Sequence, residues 1–280
     1  MGTRRRGERP LAMSVLLHAA LVAASAVAIF PILWVLAISL RPGFAGSSEV
    51  RLFEASSLAN YGYVLSETKL LVWLWNSVRV AFFTTVIGIF LSATAGYALS
   101  RFRFPGHRPL MWTFLITQMF PAAILLVPLY NILNGLGLID THTSLVFACA
   151  TVAVPFCTWM LKGYFDAIPI EIDEAGRVDG LTPIGTFWRL IFPLARPGLA
   201  VTAFYTFLQA WGEVCYATAF ITSDDKKTLA LGLQTFVTQH KQEWGYLAAA
   251  SILVTLPAGI VFFVAQKHLV AGLTAGGTKG

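Results

Sequence analysis

Long apolar runs separated by short polar stretches dominate the chain, and six of them approach or exceed the length of a membrane span. They run from Ser14 to Leu40, Leu71 to Ser100, Leu110 to Leu133, Ser144 to Leu161, Gly198 to Ile221 and Tyr246 to Gln266. Crossing about 30 Å of hydrocarbon at about 1.5 Å per residue takes about 20 apolar residues in a helix. A helix also satisfies its own backbone hydrogen bonds, which lipid cannot do. The pattern therefore predicts an all-α integral membrane protein with six transmembrane helices, and an even number places both termini on one side.

Composition agrees with that reading: 56% of the 280 residues are hydrophobic and only 12% are charged, which excludes an ordinary water-soluble globule. The net charge of +6 does not form one basic face of the kind that binds nucleic acid, because its residues stand in short clusters between the apolar runs. They are topology signals. With the N-terminus inside, thirteen of the twenty basic residues are cytoplasmic, among them Arg4, Arg5, Arg6, Arg9, Arg101, Arg103, Arg108 and Lys162. Positive-inside orientation follows. The arginines before the first span resemble the start of a signal peptide, but the apolar run is far longer than a cleaved segment of roughly 7 to 15 residues. It is expected to stay as a signal anchor. Cys149, Cys157 and Cys215 lie in apolar stretches without metal-type spacing, so the expectation is three small buried side chains.

The longest polar segments are Arg41 to Leu70 and Ser223 to Gly245 on the outer side and Lys162 to Pro197 on the inner side. The outer pair are either surfaces for an external partner or plain connectors. The inner one reads as two short helices. Pro169 suits a helix start, Glu171, Asp173 and Glu174 place negative charge in its first turn, and Gly180 supplies a stop. Thr182 then caps a second helix with Pro183 at its first position, which Pro193 is expected to break near Phe192. On the first helix Ile172, Ala175, Gly176 and Val178 alternate with acids and Arg177. That surface suits a groove on another protein, or is simply an amphipathic surface helix.

Glu174-Ala175-Gly176, then Gly180 after three residues and Leu190-Ile191-Phe192-Pro193 after nine more, resembles the EAA motif of permease subunits in bacterial ATP-binding-cassette importers. Gly176 replaces the second Ala of that motif, at a cost in helix propensity of about 1 kcal/mol. The resemblance extends along most of the chain and is nearest to the carbohydrate group. It is carried by Tyr97 to Phe102 with Phe104-Pro105-Gly106, by Trp211-Gly212-Glu213-Val214, by Thr228-Leu229-Ala230 and by the tail from Gln266 to Gly280, which is similar to the shorter permease of maltose/maltodextrin importers.

What the resemblance implies is a single permease domain over residues 1–280 of the type I ABC importer class, in a bacterial inner membrane. Residues 166–193 would be its cytoplasmic coupling loop, with Glu174, Ala175, Gly176, Asp179, Gly180 and Pro193 contacting an ATPase. Residues 267–280 would be a tail that reaches the ATPase dimer through Gly272, Gly276, Gly277 and Lys279. The implied partners are a longer sister permease, the ATPase dimer, an extracytoplasmic sugar-binding protein and membrane lipid.

The chain carries no G-x4-G-K-[ST] phosphate loop, so ATP and Mg2+ belong to partner subunits and no cofactor or metal is expected here. Its histidines are scattered with no H-E-x-x-H pairing, which argues against a metalloenzyme. A secondary transporter is disfavoured for want of broken helices and midplane ion-coupling groups, and a channel for want of a filter. An ABC permease for a non-sugar solute is the alternative. Polar residues at membrane depth are costly and suggest function, and Gln118, Asn131, Gln209 and Glu213 are the candidates for the solute path. Glu213, in the outer half of the fifth run, lines the cavity, holds a gate, or pairs with Arg79. Tyr130, Tyr205 and Trp211 either stack on sugar rings or anchor the helices at the interface.

Overall fold

A computed structural model describes residues 11–41, 57–239 and 244–277, and every regular element among them is helical. The order is α1 (Leu11–Ser39), α2 (Ala59–Ser66), α3 (Leu70–Arg101), α4 (His107–Thr117), α5 (Ala122–Gly135) and α6 (His142–Asp166). After these come α7 (Glu171–Val178), α8 (Pro183–Thr186), a π-helical turn (Phe187–Ile191), α9 (Phe192–Leu194), α10 (Arg196–Trp211) and α11 (Cys215–Phe220). A 3₁₀ turn (Asp224–Lys226), α12 (Leu229–Gln239) and α13 (Trp244–Gly277) complete the chain.

Four helices, α1, α3, α6 and α13, are each long and apolar enough to cross a membrane unaided. Two bent pairs make six if each pair is one span: α4 with α5, bent by 105°, and α8–α9 with α10, bent by 81°. The third apolar run is thus broken rather than continuous. Its break falls at Gln118 to Phe120, where Pro121 lacks an N–H and keeps the residue before it out of the helical region. The fifth run is broken as well, because α10 stops at Trp211 and α11 starts only at Cys215. Broken helices, whose apparent lack weighed against a secondary transporter, are therefore present. The sixth run and the expected tail form one helix, since α13 passes through Lys267 without interruption to Gly277.

The described residues fall into two compact units, one of residues up to 67 with 236–252, the other of 68–235 with 253 onward. In the first, Asn60 joins the end of α1 to α2: its amide donates to the Ser39 carbonyl at 2.9 Å and the Arg41 carbonyl at 2.7 Å. Tyr63 stacks on Tyr246 with ring centroids 4.2 Å apart.

The second unit is built on α3, which packs along α6 and α10. Small residues on α3 let the backbones approach: a Cβ at Gly96 would lie 3.1 Å from the Thr158 carbonyl, and the Ser92 hydroxyl reaches the Val154 carbonyl at 3.2 Å. This is the small-residue packing by which membrane helices associate when water supplies no driving force. Among the described residues, two apolar clusters lie in the interior. One, around Val80, Leu145, Tyr216 and Phe220, lies toward the Lys69 end of α3; the other, around Tyr97, Phe165, Phe187, Ile191 and Leu199, lies toward the Arg101 end. Cys149 and Cys157 are buried as expected, whereas Cys215, at the exposed start of α11, is not.

Candidate coupling surface and membrane path

The segment between α6 and α10 folds as two short helices joined by a tight turn. At the C-terminus of α7, Gly180 takes φ +81°, a left-handed conformation that L side chains resist. Leu181 N–H then reaches the Gly176 carbonyl at 2.8 Å, and Gly180 N–H the Arg177 carbonyl at 3.0 Å. These bonds close the helix end in the manner of a Schellman cap. Thr182 opens α8 by accepting the Gly185 N–H at 3.1 Å, with Pro183 in the first turn.

Pro193 does not end the second helix. The turn ahead of it widens to π geometry over Phe187–Ile191, with Phe192 N–H bonded to the Phe187 carbonyl, and helix resumes through Pro193 to Leu194. Widening relieves the clash between a proline ring and the preceding turn. The sharp bend comes later, at Ala195, where α10 begins.

The residues singled out from sequence divide between two faces of this loop. Glu174, Ala175, Asp179 and Gly180 are exposed, together with Arg177 and Val178. Gly176 instead faces the second helix, where a Cβ would come within 2.9 Å of Thr186 Oγ1 and 3.0 Å of Leu190 Cδ1. Its role is close helix packing, and the helix propensity it forgoes is exchanged for that approach. Pro193 is half-buried.

Sequence reasoning placed Val178 on the surface of α7 but missed the exposure of Ile184 and the burial of Asp173. Val178 is 87% exposed and Ile184 72%, so two large apolar side chains stand in the open on a polar loop.

Asp173, by contrast, is only 2% exposed on a helix of otherwise open acids. Its Oδ1 accepts from the Tyr97 hydroxyl at 2.6 Å and its Oδ2 from Arg101 Nε at 2.8 Å, both at the end of α3. Arg101 also donates to the Ile168 carbonyl at 2.9 Å and to the Ser100 hydroxyl at 3.1 Å, and Ser100 in turn donates to Asp166 at 2.6 Å. Burial of both charges is tolerable because each carboxylate oxygen and most of the guanidinium are hydrogen-bonded.

The opposite end of α3 is tied to another loop. Asn76 donates to the carbonyls of Asp225 and Lys227 at 2.8 and 2.9 Å, Trp73 Nε1 to that of Asp224 at 3.1 Å, and Ser77 accepts the Leu229 N–H at 2.7 Å. Asp140, at φ +59°, accepts the backbone N–H groups of Thr222 and Ser223 at 2.9 Å each and pairs with Lys226 at 2.7 Å. Lys226 and Ser223 hold its carboxyl well below the usual carboxylate range. Lys69 pairs with Asp224 at 2.8 Å and Asp225 at 2.6 Å, which hold its amine above its ordinary value.

The four candidates for a solute path are spread over separate elements. Gln118 lies in the α4–α5 break and donates to the Val152 carbonyl at 3.2 Å. Asn131 is exposed on α5, and Gln209, exposed on α10, donates to the Tyr205 hydroxyl at 3.3 Å. Glu213 lies in the α10–α11 break and accepts the Tyr216 N–H at 2.7 Å, while the Tyr216 hydroxyl donates to the Ala122 carbonyl at 3.1 Å. Both breaks are thereby joined through Tyr216. Arg79 is not Glu213's partner; its guanidinium lies over the Trp75 ring, 5.1 Å from the centroid. Tyr130, Tyr205 and Trp211 have the rings of Phe220, Phe156 and Phe207 as neighbours. Of the tail residues, Gly272, Gly276 and Gly277 belong to α13, and Lys279 lies outside the described residues.

A many-spanning helical membrane protein, with two broken helices and a folded loop that leaves apolar side chains exposed, is the class these features define. Residues 85–275 match the binding-protein-dependent transport system inner membrane components, and the chain belongs to that family. It is 38% identical over 283 residues to the maltose/maltodextrin transport system permease protein MalG of Vibrio vulnificus, covering 94% of this chain and 95% of that one. It is 40% identical over 273 residues to MalG of Photorhabdus laumondii, covering 91% and 92%. The maltodextrin transport system permease protein MdxG of Bacillus subtilis is 35% identical over 257 residues, again covering 91% and 92%. The fold is similar to a chain of a bacterial ABC transporter involved in the import of the acidic polysaccharide alginate, with TM-score 0.79 and 21% identity over 96% of this chain and 100% of that one.

Proposed function

We propose that the chain is a permease subunit of an ATP-driven importer for maltose, maltodextrins or a closely similar oligosaccharide. The observation that carries the solute class is 38% identity to a maltose/maltodextrin permease along 94% of the chain. A likeness over that length takes in the spans, the breaks and the loop together. The chain forms half of the path, a longer sister permease the other half, and an extracytoplasmic binding protein delivers the sugar. ATP and Mg2+ act on a partner ATPase dimer, and this subunit performs no chemistry of its own.

The loop of residues 166–193 is the coupling element in this reading. Glu174, Ala175, Asp179 and Gly180 meet the ATPase, Val178 and Ile184 supply the apolar part of that contact, and Gly176 and Pro193 shape the loop from within. The support is exposure: large aliphatic side chains held open on either side of a capped turn. With this loop and both termini on the cytoplasmic side, residues 267–280 also reach the ATPase. Closure of the ATPase dimer displaces the loop and switches the spans between inward- and outward-facing arrangements. Gln118 and Glu213, at the two helix breaks, together with Asn131 and Gln209, are the groups offered to the sugar.

The test is reconstitution with the sister permease, ATPase and binding protein, scoring ATP-dependent uptake of maltose and maltodextrins against other sugars and amino acids. Uptake confined to maltose and its oligomers, and lost in Gly180→Val with assembly retained, is the expected result. Uptake of a different solute class, or no association with an ATPase, overturns the reading.

A further inference from the structure

The Arg101–Asp173 pair has a property that stability alone does not account for. Its side chains are 8% and 3% exposed, yet a buried ion pair contributes little over a well-packed apolar pair of the same volume. What it does supply is direction. Burial of Tyr97, Phe165, Phe187 and Ile191 is non-directional, whereas a carboxylate held by Tyr97 on one oxygen and Arg101 on the other has one register.

The same arginine reaches Ile168, just ahead of α7, and through Ser100 is linked to Asp166 at the end of α6. One guanidinium therefore ties the helix end, the connecting segment and α7 to a single point on α3. From that point motion is not absorbed by loose packing, since Gly96 and Ser92 hold α3 in close contact with α6.

We propose that Asp173, Arg101 and Tyr97 form the strut through which displacement of the loop reaches the spans, and that α3 is the helix driven. The three act as positioning residues: Asp173 faces away from the exposed partner surface and transmits what that surface receives. The proposal rests on the coupling reading above and adds to it which residues carry the force and where it enters the membrane domain.

The experiment uses the full complex in proteoliposomes, with radiolabelled maltotriose, and reads maltotriose imported per ATP hydrolysed. Arg101→Met with Asp173→Leu removes both charges and strands neither. The expected result is an assembled complex that hydrolyses ATP while import per ATP falls roughly tenfold, as for loss of a typical coupling between sites. An unchanged ratio in this variant overturns the strut, because an apolar contact would then do as well. If the double variant fails to assemble, Tyr97→Phe, which keeps the charge pair and loses one hydrogen bond, gives the decision: a partial fall supports the strut and an unchanged ratio overturns it. The unmodified complex is measured first, and absence of ATP-dependent import there overturns the importer reading and the strut with it.

Discussion

Both ends of α3 hold a loop, and they do so with opposite uses of charge. At the Arg101 end one ion pair is buried, with side chains 8% and 3% exposed, and Tyr97 and Arg101 converge on one carboxylate. At the Lys69 end the pairs are open to water, with side-chain exposures of 47% and 49% for Lys69 and Asp224, and the loop is held mainly by neutral bonds from Trp73, Asn76 and Ser77 to backbone groups. Exposed pairs are screened and contribute little, whereas a buried charge that loses its partner is expensive. The same helix thus presents one anchorage that fails sharply and one that tolerates change, the first beneath the loop proposed to meet the ATPase.

The largest effect is expected from Asp173→Asn. It leaves Arg101 buried without a counter-charge, and removing one partner of such a pair costs about 3 to 5 kcal/mol. Thermal unfolding of the purified chain and hydrogen exchange over residues 166–195 should both show it. Exchange that stays at the natural level would mean that the apolar cluster alone holds the loop.

Next is Gly176→Val. Its added carbons meet Thr186 and Leu190, which a Cβ alone would approach to 2.9 and 3.0 Å, and overpacking costs about 1 to 3 kcal/mol. Gly180→Val follows, with about 1 to 2 kcal/mol from forcing a side chain into the left-handed region. Its mark is local: exchange should rise across the α7–α8 turn while the Asp173 clasp stays protected. A rise at both would show that the turn and the clasp open as one unit.

The Lys69 end gives the smallest effects. Lys69→Ala is expected to leave melting unchanged at physiological salt. Asp140, which holds that loop from the connection between α5 and α6, is the exception. Its carboxyl titrates below its ordinary value in the folded chain, so its stabilising contribution is present above about pH 4, the unfolded value, and is lost only as the pH falls well below it. Protection of residues 221–228 should therefore be the same at pH 7 and pH 5 after correction for intrinsic rates, and should drop at both in Asp140→Asn. Loss of protection between pH 7 and pH 5 in the natural chain would show that Lys226 and Ser223 do not hold the carboxylate.

Hydrophobic run length fixed the class of this protein unaided, because spanning hydrocarbon is a one-dimensional requirement that depends on how many apolar residues follow one another. Local stereochemistry was legible for the same reason. Gly180, Thr182 and Pro183 act within three or four residues of themselves, and the turn they predict is the turn observed. The break at Pro121 was legible in principle, since the proline was in plain view, but a run of apolar residues on both sides masked it.

Tertiary structure decided the rest. Nothing local distinguishes Asp173 from Glu174, yet one is buried under α3 and the other is open, because an 8-residue helix has two faces and only its packing partner selects which is inward. Asn76, set in an apolar run, holds the backbone of a loop about 150 residues away along the chain, a pairing that only the fold creates. Pro193 read as a helix breaker, and the π turn ahead of it lets the helix continue, because Phe187 and Ile191 are fixed in the core on either side of the widened turn. Sequence determines what each segment can be on its own; which faces meet, and so which charges are buried, follows from contacts between segments that lie far apart in the chain.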